Sequence, residues 1–149
     1  MNQYTPFTDV FLMFIAFSGF LVAFFIFQEK KLKRPLVCPL KANCELVIHS
    51  DYSHFFGIPV EVLGMIYYAL TALLHAGLIL YPLSFPAEFI SFTVAISLVS
   101  FLFSLYLVYI QIFVIRQWCS WCMCSALFSI IIFITTIINP EFYIKIWGL

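Results

Sequence analysis

The chain has 149 residues, 64% of them hydrophobic and 9% charged, with seven basic and seven acidic side chains and a mean hydropathy of +1.09. A soluble domain carries about a quarter charged residues, so this chain lacks the polar surface to cover a water-exposed fold and reads as an integral membrane protein. Its zero net charge leaves no basic footprint for nucleic acid.

Val10 to Phe27 is uncharged and long enough, at about 1.5 Å per residue, to cross most of a hydrocarbon core of roughly 30 Å. It is the first predicted transmembrane helix. No basic residue precedes it and no small-residue cleavage site follows, so it does not read as a signal peptide. Gln28 to Pro35 closes it with a cationic cluster and a proline, and a comparatively polar loop runs on to Gly57. In that loop five residues separate Cys38 from Cys44, a spacing that closes a small disulfide ring. Glu45 to Ile48 reads as a helical turn on the membrane surface. His49, Asp51 and His54 read as a solvated face, placed where they can also trade protons with nearby groups.

Pro59 followed by Glu61 marks a helix start, with the Glu61 carboxylate as a partner for the helix dipole. The second helix is predicted over 59–81, the third over 89–115 and the fourth over 118–138. Pro82 to Pro86 forms a turn between the second and third; Arg116 and Gln117 alone join the third to the fourth, and a short amphipathic tail runs to Leu149. His75, deep in the second helix and remote from the cysteines, reads as a packing or interhelical hydrogen-bonding residue. The expected architecture is a single all-α domain over 1–149, a four-helix transmembrane bundle with one long cysteine-bearing loop between its first two helices.

Cys119-Ser120-Trp121-Cys122 opens the fourth helix. Residues three apart on a helix share a face, with Cα atoms about 5 Å apart, inside the disulfide window. In the first turn the free amides and the helix dipole favour the Cys119 thiolate. Four crossings place the loop after the first helix and the turn before the fourth on one side, so Cys38, Cys44, Cys119 and Cys122 can meet; Cys124 points elsewhere. These thiols read as a relay in which a soluble dithiol protein reduces Cys38/Cys44, that pair exchanges with Cys119/Cys122, and a membrane quinone takes the two electrons. Trp121, Phe55, Phe56, Tyr67 and Tyr68 are candidate walls of a quinone slot, and Ser50 is a hydroxyl donor beside the relay. Three other readings compete: a membrane scaffold with a structural loop disulfide, a zinc site, and a carrier of soft metal ions such as mercury.

Cys38-x5-Cys44, Ser50 six residues later, Phe56-Gly57-Ile58-Pro59 with Gly64 beyond, and Cys119-x-x-Cys122 occur in an order and spacing that resembles the bacterial and archaeal homologues of vitamin K epoxide reductase. The resemblance implies a bundle built around a quinone, ubiquinone or menaquinone, with Cys122 nearest the quinone and Cys119 exchanging with the loop. It implies Cys44 as the exchanging loop thiol, Cys38 as the one facing a soluble partner, and Ser50 as the family's loop Ser/Thr. Some homologues carry a fused thioredoxin-like domain; this chain stops at Leu149, so the expected donor is a separate thioredoxin-like or DsbA-like protein. The implied activity is reoxidation of that donor at the cell membrane, in support of disulfide formation. Two features depart from the pattern. No tyrosine lies between Cys124 and Leu127, where animal members carry one, which argues against vitamin K epoxide as substrate. Lys30, Lys31, Lys33, Arg34, Lys41 and Arg116 lie on the cysteine side against Lys145 on the other, so the positive-inside rule points that side to the cytoplasm while the resemblance points it outward.

Overall fold

The structure is a computed structural model that describes residues 6–34, 38, 44–81 and 87–138. The Pro82 to Pro86 turn, Lys41 and the tail with Lys145 lie outside the described residues. Helix α1 spans Pro6–Lys31, α2 Cys44–Ile48, α3 Val60–Leu80, α4 Ala87–Tyr109 with a π-helical continuation over Ile110–Ile115, and α5 Ser120–Ile138. Four of these are long and apolar enough to cross a membrane, and large apolar side chains such as Phe14, Leu73, Val99 and Ile134 face outward from them. The chain is a four-helix integral membrane bundle.

Helix α1 starts at Pro6, where the missing amide hydrogen is harmless, with Asp9 in its first turn and Lys30 and Lys31 in its last, each complementing the dipole. It begins four residues before the apolar run, because Asp9 is carried inside the bundle rather than marking its edge; the Asp9 side chain is buried on His75 of α3. Helix α3 is set up by a hairpin in which strand β1 (His54–Phe55) pairs antiparallel with β2 (Ile58–Pro59). The two turn residues, Phe56 and Gly57, both have positive φ, 52° and 79°, as a type I′ turn requires. Glycine meets that demand freely, whereas Phe56 holds a conformation uncommon for a side-chain-bearing residue.

Helix α1 lies against α3 and α5, and α4 packs on α5, while α3 and α4 touch little. The buried positions of α3 are Glu61, Tyr68, Thr71 and His75, a 7-3-4 spacing that makes one seam. Every member is polar, the reverse of a soluble helix, because lipid accepts apolar side chains and the interior must accept the rest. The α1–α3 contact is closest at Gly19, where an added Cβ would fall 2.5 Å from the Tyr68 ring. That ring is fixed by its hydroxyl, which donates to the Ser125 carbonyl and lies 3.1 Å from Ser125 Oγ on α5. Gly19→Ala is therefore expected to destabilise the bundle by about 1–3 kcal/mol, the usual range for overpacking, read as a lower thermal midpoint in detergent.

Candidate redox site and cavity

Cys119 sits one residue before α5 and acts as its N-cap. Its carbonyl accepts from the Met123 amide at 2.9 Å and its sulfur accepts from the Cys122 amide at 3.3 Å. A sulfur in the capping position faces the unpaired amides and the positive end of the dipole. Gln111 holds the Cys119 amide through Oε1 at 3.3 Å, and the Gln111 carbonyl accepts from Gln117. The π-helical turn ending in left-handed Arg116 (φ 58°) is what brings Gln111 inward. Cys119 is fully buried, yet its thiol ionises more readily than an ordinary one, because the Cys122 thiol hydrogen-bonds its sulfur and the Cys122 and Trp121 amides add to that, against the opposing effect of burial. The thiolate absorbance assigned to Cys119, as the difference between wild type and Cys119→Ala, is expected to appear below the pH of an ordinary thiol and to move upward in Cys122→Ala.

Cys38 and Cys44 are joined in a disulfide, with Cα atoms 6.0 Å apart, while Cys119 and Cys122 are free thiols. The sulfurs of Cys38, Cys44 and Cys119 all lie within 4.8 Å of one another. Cys44, in the first turn of α2, is buried with Val47, Ile48, Ile26 and Cys119 in an apolar cluster, and Cys38, Cys122 and Trp121 pack against it. The sulfurs thus meet where bulk water is excluded. Trp121 lies against Phe25 of α1, ring centres 5.0 Å apart.

Because α3 and α4 stand apart, a cavity of about 530 Å³ opens between them, with α1 and α5 behind it. Its walls are mostly aliphatic and aromatic, and Cys122 is in its lining. Ile66 and Val99 line it and are also more than half exposed, one on each of the two helices, so it opens sideways toward lipid. Phe55 lines it and stacks edge-on with Phe103 of α4, ring centres 5.4 Å apart. Tyr67 and Ser50 line it as well, but the Ser50 hydroxyl donates to the Val47 carbonyl at 2.7 Å, so toward a ligand it accepts. Phe56 and Trp121 are not in the lining: Phe56, 89% exposed, is at the hairpin tip, and Trp121 packs against the cysteine cluster and Phe25.

The chain matches the model of the Vitamin K epoxide reductase family over residues 10–137. It belongs to that family. A comparison with curated proteins finds no match. As a member of the vitamin K epoxide reductase family it is a membrane oxidoreductase acting on thiols and disulfides, and the family in general uses quinones and works with thioredoxin-like partners.

Two residues that line the cavity of this family member escape a reading built on cysteine spacing. Glu61 is buried and lines the cavity; Lys30 Nζ lies 3.5 Å from its Oε1, and its Oε2 is buried without a hydrogen-bond partner among the described residues. A carboxylate in the first turn of α3 gave the dipole role as the simpler account, and only the Lys30 contact across 31 positions reveals an interior pair. Gln111 carried a signal, as the one amide side chain in the uncharged run from Phe89 to Ile115.

Proposed function

We propose that this protein is a thiol:quinone oxidoreductase that reoxidises a separate thioredoxin-like dithiol protein and so supports disulfide formation. The observation that carries the reading is that Cys119 has its sulfur within reach of the loop disulfide while Cys122, on the next turn, lines a lipid-facing cavity. Cys38, half-buried, is the loop thiol a soluble partner reaches, and buried Cys44 is the one that exchanges with Cys119. Partner thiols reduce the Cys38–Cys44 bond; the loop dithiol then reduces a Cys119–Cys122 disulfide, regenerating the loop disulfide and leaving two inner thiols.

The cavity fits a quinone ring in volume, within the 300–1,000 Å³ range of small-molecule sites, and in character, with few polar atoms on apolar walls. Ser50, Phe55, Tyr67, Glu61 and Gln111 would hold the ring, and Phe56 and Trp121 support it from outside, through Phe55 and through the disulfide cluster respectively. Bound there, ubiquinone or menaquinone supplies an acceptor for two electrons and two protons. The chain's own part is to keep water from the thiols, to favour ionisation of the Cys119 thiol, and to carry away thiol protons. Glu61 is placed to carry those protons, since Lys30 bridges it to Ser53 Oγ (3.3 Å), which contacts His54 Nδ1 (3.0 Å) on the exposed hairpin.

The proposed location is the cell membrane. The basic residues Lys30, Lys31, Lys33, Arg34 and Arg116 at the cysteine end favour a cytoplasmic loop, whereas disulfide-forming chemistry favours an outer one; labelling of Cys38 in intact cells by an impermeant maleimide after mild reduction distinguishes them. Three sulfurs within 4.8 Å also keep the soft-metal carrier in view, since a reduced loop would offer them to a thiophilic ion. Purified protein in detergent, given dithiothreitol without oxygen, is expected to reduce a short-chain ubiquinone or menaquinone, followed by ultraviolet absorbance. Stoichiometric mercury binding with no quinone reduction would replace the relay by the carrier.

A further inference from the structure

All four buried side-chain polar atoms that lack a hydrogen-bond partner among the described residues lie on α3: Glu61 Oε2, Tyr67 Oη, Thr71 Oγ1 and His75 Nε2. The last three are four residues apart and follow one stripe of the helix. The Tyr67 hydroxyl lies near those of Thr71, Ser100 and Ser129, and Ser100 and Ser129 are themselves in contact at 2.7 Å. The stripe begins at the cavity, where Tyr67 and Ser100 are in the lining. It ends at His75, whose Nδ1 is 2.9 Å from Asp9 Oδ1, and both side chains are buried. From Glu61 to His75 the helix rises about 21 Å, and Asp9 lies in the first turn of α1, so this pair belongs to the membrane face opposite the cysteines.

Partnerless polar atoms in a bundle interior are sites for ordered water. Hydroxyl and imidazole groups both donate and accept, which lets a proton pass along a line of them. In the tautomer that donates Nδ1–H to the Asp9 carboxylate, Nε2, buried without a partner among the described residues, is the acceptor nitrogen of the ring. We propose that Asp9, His75, Thr71 and Tyr67 form a hydrated proton path from the membrane face opposite the cysteines to the cavity. The inference rests on the quinone reading. Oxidation of one inner dithiol releases two electrons and two protons; with this path the two protons added to the quinone enter from the far face, while the two from the thiols leave on the cysteine face. Turnover then moves charge across the membrane as well as making a disulfide.

The test places wild-type protein in vesicles with a short-chain ubiquinone and an internal pH dye, with reduced thioredoxin outside so that only outward-facing cysteine loops react. The lumen is expected to lose about two protons per quinone reduced. His75→Asn and the isosteric Thr71→Val are expected to slow quinone reduction at least about tenfold, while reduction of the loop disulfide, read by alkylation and mass, stays at the wild-type rate. In quinone-free protein the His75 ring is expected to show magnetization transfer from water by nuclear magnetic resonance, lost in Thr71→Val. Quinone reduction with no change of lumen pH, or a dry His75 ring, overturns the path and leaves the quinone reading standing. No quinone reduction with either thioredoxin or dithiothreitol sinks the reading and the path together.

Discussion

Cys122→Ser is expected to stop electron delivery to the cavity, by at least about 10³-fold as for loss of a group that works as part of a unit, and to trap Cys119 on the loop. The Cys119 sulfur accepts from the Cys122 amide at the start of α5 and lies within 4.8 Å of both loop sulfurs. It attacks one of them, forming a mixed disulfide and releasing the other as a thiolate. In the wild type the Cys122 thiol, on the same face one turn along, resolves this by attacking the Cys119 sulfur, closing a Cys119–Cys122 disulfide and releasing the loop sulfur as a thiolate. A serine hydroxyl cannot, so the mixed disulfide accumulates while the volume at the cavity wall is nearly kept. Peptide mass analysis under non-reducing conditions reads the partner, and the burial of Cys44 beside Cys119 in one cluster makes Cys119–Cys44 the expected linkage. A mutant that keeps a tenth of wild-type turnover, or one linked through Cys38, would contradict the order of transfer.

The bundle was legible because lipid imposes its rule on composition. Runs such as Phe89 to Ile115 admit one reading, and the four helices lie where the runs do. The ends were less legible. Helix α1 extends past its apolar run at both ends, to Pro6 and Lys31, because Asp9 and Lys30 find partners on α3. The third predicted helix over 89–115 is α-helical only to Tyr109; its last turn widens around Gln111, a change that hydrophobicity does not encode. The meeting of the cysteines followed from counting crossings. The cavity did not, since it depends on how little α3 and α4 touch, and of two neighbouring aromatics Phe55 turns inward and Phe56 outward on the backbone of a two-residue turn. The polar seam of α3 lay in plain view at 61, 68, 71 and 75, but each residue taken singly had a bland explanation, and only the shared spacing and partners make it a feature.

Lys30→Met is expected to destabilise the protein by about 3–5 kcal/mol, the range for breaking a buried ion pair by removing one member. The Lys30 and Glu61 side chains are 15% and 8% exposed, and the second carboxylate oxygen has no hydrogen-bond partner among the described residues, so removing the ammonium leaves a buried carboxyl group that has lost its ion-pair partner. The converse change, Glu61→Gln, is expected to be milder, because a lysine on the last turn of α1 can swing its charge toward the headgroups. Combining the two removes both charges, and the double variant is expected to recover most of the stability lost in Lys30→Met, a non-additivity that thermal unfolding of the four proteins in detergent measures. The same set separates structure from chemistry. Glu61→Gln keeps the shape of the cavity wall while removing its proton acceptor, so its quinone reduction is expected to fall while dithiothreitol still reduces the loop disulfide at the wild-type rate. If Lys30→Met proves as stable as the wild type, the pair is not an interior one, and Glu61 loses its claim to a role at the cavity beyond that of a dipole partner for α3.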